Sequence, residues 1–96
     1  MKNKKVYISG PMTGKKDFNF PAFFKLEDEL LKEGFIVLNP ARNPKGLTYE
    51  DYMDISLAMV RVCDMVFTLD GFEDSPGAKA EVAYAASIGR DIRKGL

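Results

Sequence analysis

At 96 residues, 46% hydrophobic and 29% charged, the chain has the proportions of one soluble globular domain spanning residues 1–96, with a core large enough to fold alone. One cysteine and no histidine exclude an internal disulfide, His-based triads and a Cys/His zinc cage, and leave acid–base chemistry to carboxylates, Tyr, Lys or Cys. The formal net charge is zero, yet residues 1–48 carry nine Lys and Arg against five Asp and Glu, and residues 49–96 carry five against nine; this is not the balance of a nucleic-acid polymer binder, and it suits a small ligand with an anionic end, self-association of unlike surfaces, or uneven solvated faces.

The chain opens on "MKNKKVYISG", which is basic but has too short an apolar stretch for a signal peptide; no apolar run approaches the ~20 residues of a membrane span, and the lone Cys63 fits a reducing cytosol. A cytoplasmic protein without membrane contact is expected. "KVYISG" (5–10) is a β-branched and aromatic run closed by Gly-Pro, a strand followed by a loop. "NFPAFFKLEDELLKEG" (19–34) places Phe23, Leu26, Leu30 and Leu31 at helical spacing, with Pro21 near its start and Gly34 as its stop. "FIVLNP" (35–40) is a second strand ended by Asn39-Pro40, and "ARNPKGL" (41–47) is a loop and the best candidate for a mobile segment. Thr48 opens a helix over 48–63 with acids in its first turn and Met53, Leu57 and Val60 or Arg61 on its spacing. "DMVFTLDG" (64–71) is a third strand, 76–88 an Ala-rich helix, and "DIRKGL" (91–96) a short last strand. Strands alternating with helices predict a three-layer α/β domain with a small, mainly parallel sheet of four or five strands, flavodoxin-like or Rossmann-like. In such sheets ligands bind beyond the carboxyl ends of the strands. There "SGPMTGKK", "NPARNP" and "LDGFEDSPG" should converge.

Three features of those segments carry chemistry. In "SGPMTGKKDFN", Gly10 and Gly14 permit a loop whose amides point at an anion, with Ser9, Thr13, Lys15 and Lys16 adding hydroxyls and charge. The glycine spacing is not that of a Walker loop, and a plain tight turn explains the segment as well. Ser75 caps the last helix ahead of Pro76, and free amides with the helix dipole favour an anion there. Glu81 shares a helix face with Ala78, Ala85 and Ile88, the face that should be buried, so it is either paired or functional. Tyr7 shares a strand face with Lys5 and Ser9 and can equally be a core tyrosine; Asp70 and Asp74 flank the loop after strand three.

"VYISGPMTG", "FPAF", "VLNPA" and "CDMVFTLDGFEDSPGAKAEVAYA" together resemble the nucleoside 2-deoxyribosyltransferase superfamily, and most closely its short branch, a domain of unknown function common in phage and bacterial genomes. The resemblance runs from about residue 4 to residue 90. It implies that Glu81 is the nucleophile that attacks the anomeric carbon, with Tyr7 beside it. It also implies a phosphate-binding loop at Gly10, Pro11, Met12, Thr13 and Gly14, completed by Ser75. Ser9, Asn39 and Gly77, in the segments that converge at the ligand edge, and Ser56 are expected in the substrate set as well. The family usually has an aspartate eight residues before the one that opens strand three. Counting back from Asp64 gives Ser56 instead, with Asp54 on a different helix face, so Asp54, Asp70 or Asp74 has that role or the chemistry is weakened, altered or absent. In longer relatives the stretch beyond this point supplies residues to a neighbouring subunit's site. The expected activity is N-glycosidic cleavage or 2-deoxyribosyl transfer on a nucleoside or nucleoside 5′-monophosphate, without metal or organic cofactor, in a homodimer or dimer-based assembly. The alternative is a nucleotide-binding or sequestering module without turnover.

Overall fold

The computed structural model describes residues 4–95. Seven main elements follow in the order expected: β1 (Lys5–Ser9), α1 (Phe20–Lys32), β2 (Ile36–Leu38), α2 (Tyr49–Val62), β3 (Met65–Thr68), α3 (Pro76–Ser87) and β4 (Asp91–Lys94). The four strands form one sheet in the order β2-β1-β3-β4, and every pairing is parallel. The last strand ends at Lys94; Leu96, which the sequence reading included, lies outside the described residues, as do residues 1–3.

Alternation along β1 divides the core in two. Val6 and Ile8 pack with Phe23, Leu26 and Leu30 of α1. Tyr7 packs with Val60 of α2 and Ala85 of α3 on the opposite side. Helices therefore cover both faces, which makes the three layers of a doubly wound sheet. Because the order reverses between β1 and β3, the carboxyl ends of these two strands open the crevice where such folds bind ligands.

The helix ends follow local chemistry. At the end of α1, Gly34 takes φ +92, while its N–H reaches the Leu31 carbonyl and the Phe35 N–H reaches that of Leu30. The same two-bond closure recurs after α3 at Gly89 and Arg90. At the start of α2, Thr48 and Asp51 cap each other's backbone amides. Two details differ from expectation. Leu31 is half-exposed, and Glu27 takes its place on the buried face of α1. The helix expected from residue 19 begins at Phe20, because Asp17, Phe18 and Asn19 form a left-handed turn, with φ of 52, 53 and 63, that re-aims the chain. The Asn19 amide holds that turn by donating to the Pro11 carbonyl at 3.0 Å.

The 41–47 loop is held at Ala41, Arg42 and Pro44. Ala41 is buried in a short 3-10 turn, Arg42 binds Glu27, and the Tyr52 hydroxyl donates to the Pro44 carbonyl at 2.7 Å.

Candidate active site

Three elements deliver polar groups to one buried point. β1 turns Tyr7 and Ser9 toward α2 and α3. α3 starts where Ser75 accepts from the Ala78 N–H at 3.2 Å with Pro76 in the first helical position, and this sets the register that buries Ala78, Glu81 and Ala85. The two alanines keep that face small, so α3 lies close enough to β1 for the Ser9 hydroxyl to donate to Glu81 Oε1 at 2.7 Å. α2 buries Ser56 one turn before Val60. Asp54, two residues earlier, faces water.

Glu81 is thus surrounded by hydroxyls rather than charges. None of the ion pairs among the described residues includes it. Burial raises its pKa above the ordinary glutamate value; contacts with the Ser9, Tyr7 and Ser56 hydroxyls pull the other way without cancelling it. Burial, and then the charge of Glu81, hold the Tyr7 phenol well above its ordinary value. Its hydroxyl lies near Glu81 and Ser56 but makes no hydrogen bond of normal geometry, an uncommon state for a fully buried donor. Burial also pushes the Cys63 thiol up to about 12, which leaves it inert as a nucleophile.

Glu81 lines a cleft of about 920 Å³. One wall is the loop after β1, at Gly10, Pro11, Met12 and Thr13; another is the first turn of α3, from Ser75 to Ala78. Gly10 is required by packing, since a Cβ there would meet Leu69 Cβ at 2.8 Å. Phe18 and Phe20 come from the segment leading into α1, and Tyr49, Tyr52 and Met53 from the start of α2. Lys15 and Lys45 stand exposed at the rim. Donor-rich backbone at one end and a buried carboxylate further along α3 can hold an anionic group and present a nucleophile to what is attached to it.

The structure brings Glu81, Asp74, Gly10, Pro11, Met12, Thr13, Ser75 and Gly77 to this cleft. Tyr7, Ser9 and Ser56 sit behind it, around the Glu81 carboxylate. Gly14 supplies a turn with φ +81 but is not part of the lining. Asn39 is spoken for: its carbonyl oxygen accepts from the Ala41 N–H at 2.9 Å and its amide donates to Glu27 at 3.2 Å. Asp70 is exposed, lies 4.0 Å from Lys94, and lines a separate depression of about 260 Å³ at the end of β3. Sequence reasoning missed Phe18, Phe20, Tyr49, Tyr52 and Met53 as cleft residues. The spacing of Tyr49, Tyr52 and Met53, one helix face at a helix start pointing to the ligand edge, is the signal that could have found those three. Among the described residues no group of three His, Cys, Asp or Glu is placed to hold a metal ion, and no helix is long and apolar enough to cross a membrane.

The fold is shared with two solved structures. A 2-deoxyribosyltransferase from Leishmania mexicana superposes with a TM-score of 0.76 at 21% identity, over 95% of this chain and 63% of that one. A CMP N-glycosidase from Clostridium botulinum superposes with a TM-score of 0.65 at 19% identity, over 95% of this chain and 70% of that one. The chain thus spans less than two thirds of the length of the transferase. A search of curated proteins finds no match. A family model described as a domain of unknown function, DUF4406, matches residues 4–94, nearly the whole chain, and the protein belongs to that family.

Proposed function

We infer that the protein acts on the N-glycosidic bond of a nucleoside or nucleoside 5′-monophosphate, by cleavage or by 2-deoxyribosyl transfer, through a covalent glycosyl–Glu81 intermediate. The observation that carries this reading is the state of Glu81: a buried carboxylate without a charge partner, one oxygen held by Ser9 at 2.7 Å, on the wall of the cleft. The other oxygen would attack the anomeric carbon as the bond to the base breaks and its electron pair leaves with the base. Water, or a second base, would then displace Glu81 from the same carbon, so two inversions give retention. Ser75 lies ~9 Å along the helix axis from Glu81, six residues at 1.5 Å each, which is roughly the span of a phosphosugar. A 5′-phosphate on the α3 amides and the Gly10–Thr13 loop would then bring the anomeric carbon to Glu81. Relatives of the same fold named for 2-deoxyribosyl transfer and CMP N-glycoside cleavage support the class of reaction.

A second reading is a nucleotide-binding module without turnover. It is favoured by Ser56, a hydroxyl beside Glu81 where the resembling family has an aspartate. Homodimer formation is part of the proposal, since two-fold pairing is the commonest symmetry among soluble homo-oligomers. The test is incubation with deoxynucleosides and their 5′-monophosphates, with free base followed by chromatography and binding by calorimetry. Base release that disappears in Glu81→Gln supports catalysis. Tight binding with no release across the panel supports the module. Equal affinity for a nucleoside and its monophosphate would remove the phosphate site.

A further inference from the structure

A neutral base leaves a sugar readily only if it is protonated as it departs, and the donor must be within about 2.6–3.2 Å of the proton's destination. The groups gathered at the Glu81 carboxylate are the hydroxyls of Ser9, Ser56 and Tyr7. A serine hydroxyl is far too weak an acid for this task near neutral pH. The Tyr7 phenol is buried against Glu81, whose charge opposes ionisation of the phenol. Among the described residues, the other carboxyl lining the cleft is Asp74. It is exposed and lies just before the Ser75 cap, at the end where α3 offers its free amides, whereas Glu81 lies six residues further along from that cap. Asp70 opens onto a different depression.

The cleft walls are suited to a different kind of leaving group. Phe18, Phe20, Tyr49 and Tyr52 line it from two elements, and Met53 adds a polarisable thioether. Aromatic faces attract a cation through their quadrupole, and a flat cationic ring can also stack on them. Lys15 and Lys45 are at the exposed rim, where solvent screens their charge.

Resting on the reading of Glu81 as nucleophile, we propose that the preferred substrate is a nucleotide whose base is already cationic on the sugar: a purine alkylated at ring nitrogen N7, or a pyridinium. The step then balances without an acid. Glu81 Oε2 forms the bond to the anomeric carbon, the carbon–nitrogen bond breaks, and its electron pair neutralises the ring, which leaves as a neutral molecule. Water then adds to the anomeric carbon, Glu81 departs as carboxylate, and the proton goes to solvent.

The deciding comparison is 7-methyl-2′-deoxyguanosine 5′-monophosphate against 2′-deoxyguanosine 5′-monophosphate, which share sugar and phosphate and differ in one methyl group and the charge of the ring. The expected result, after subtraction of uncatalysed release, is a kcat/KM at least about tenfold higher for the methylated nucleotide. A smaller ratio, with base released from both, overturns the cationic-base proposal and leaves the glycosidic reading standing. Release from neither overturns the glycosidic reading and this proposal with it. Ser56→Asp supplies an acid at the missing position and should narrow the ratio at least about fivefold by favouring the neutral base. An unchanged ratio in folded Ser56→Asp overturns the argument that a missing proton donor sets the preference, and the wild-type pair decides alone if that variant does not fold.

Discussion

Glu27 and Glu81 are both buried carboxylates, 6% and 8% exposed, on opposite faces of the same sheet. Glu27, beneath α1, receives the Arg42 guanidinium through two parallel bonds, one of them 2.8 Å from Nε, and the Asn39 amide at 3.2 Å. Arg42 also rests over the Phe24 ring at 4.9 Å from its centroid. Those partners hold the Glu27 pKa below the ordinary value, Arg42 first, against the opposing effect of burial. Glu81, beneath α2 and α3, has only hydroxyls, and burial wins: its pKa is raised. Burial by itself therefore does not mark a functional carboxylate. A cation neutralises the buried charge and makes it structural, whereas hydroxyls orient the group and leave its charge uncompensated. The fold carries that penalty at Glu81 and not at Glu27, which is the pattern expected where function rather than stability selects the residue.

The sharpest way to break this contrast is to neutralise both groups. Glu81→Gln keeps the shape and removes the nucleophile, so base release should fall by about a thousandfold or more, some 4 kcal/mol in the barrier. Ligand affinity should stay within about tenfold, ~1.4 kcal/mol. Its stability at neutral pH should rise by about 1 kcal/mol, several degrees in Tm for a domain of this size, because an uncompensated buried charge is gone. Glu27→Gln should do the reverse: Tm falls as Arg42 loses its ionic partner, while base release is retained. If Glu81→Gln unfolds the protein, Glu81 belongs with Glu27 as a structural group. If it folds and releases base at the wild-type rate, the nucleophile assignment fails.

Ser9 offers a smaller perturbation on the same side. Ser9→Ala removes the 2.7 Å hydrogen bond that fixes Glu81 Oε1 and favours the ionised form. Turnover should drop about tenfold, with the acid limb of its pH profile displaced toward higher pH, since less of Glu81 is ionised at a given pH. A drop in turnover with no displacement of the limb would mean that Ser9 acts through packing alone. A profile identical to wild type in rate and shape would remove Ser9 from the site.

The difference between the two glutamates also separates what was legible in the sequence from what was not. Glu81 was legible because its neighbours are local: Ala78 and Ala85 at helical spacing declare a buried face, and Ser75, Pro76 and Gly89 declare the helix ends. The parallel α/β order was legible for the same reason, since β1, β2 and β3 are short runs rich in β-branched and other apolar residues, each ended by its own turn residues. Glu27 was not. Its partners lie 12 and 15 residues away in a loop, and the apolar pattern of α1 admits Leu31 as easily as Glu27 to the inner face until tertiary packing chooses. Asn39 was read toward the ligand because it ends a strand at the right edge. Glu27, a group that sequence cannot place, takes it up instead. The left-handed turn at Asp17, Phe18 and Asn19 was equally hidden, because none of the three is the glycine that normally announces positive φ.

The smallest effect is also the most diagnostic, because the two carboxylates must respond to pH with opposite sign. The Glu27 pKa is lowered in the folded state, so its contribution to stability is present above the unfolded value near 4.5 and is lost as pH falls through the folded value. The Glu81 pKa is raised, so the stability associated with its protonated form is complete below 4.5 and is lost as pH rises through the folded value. Urea midpoints of wild type, Glu27→Gln and Glu81→Gln between pH 3 and 8 should show both consequences. The deficit of Glu27→Gln should be full at neutral pH and shrink only at the acid end. Arg42 is exposed enough for water and salt to keep that deficit small. The advantage of Glu81→Gln should be full at neutral pH and begin to close at a higher pH, as the wild-type carboxylate takes up its proton. By pH 3 the wild-type side chain is a neutral acid beside Ser9, close in shape and polarity to the amide, and the two midpoints should meet. If the advantage of Glu81→Gln persists at pH 3, it does not arise from charge. If both gaps close over the same pH range, the two sites are not electrostatically distinct, and the hydroxyl-lined pocket loses its claim to hold a poised carboxylate.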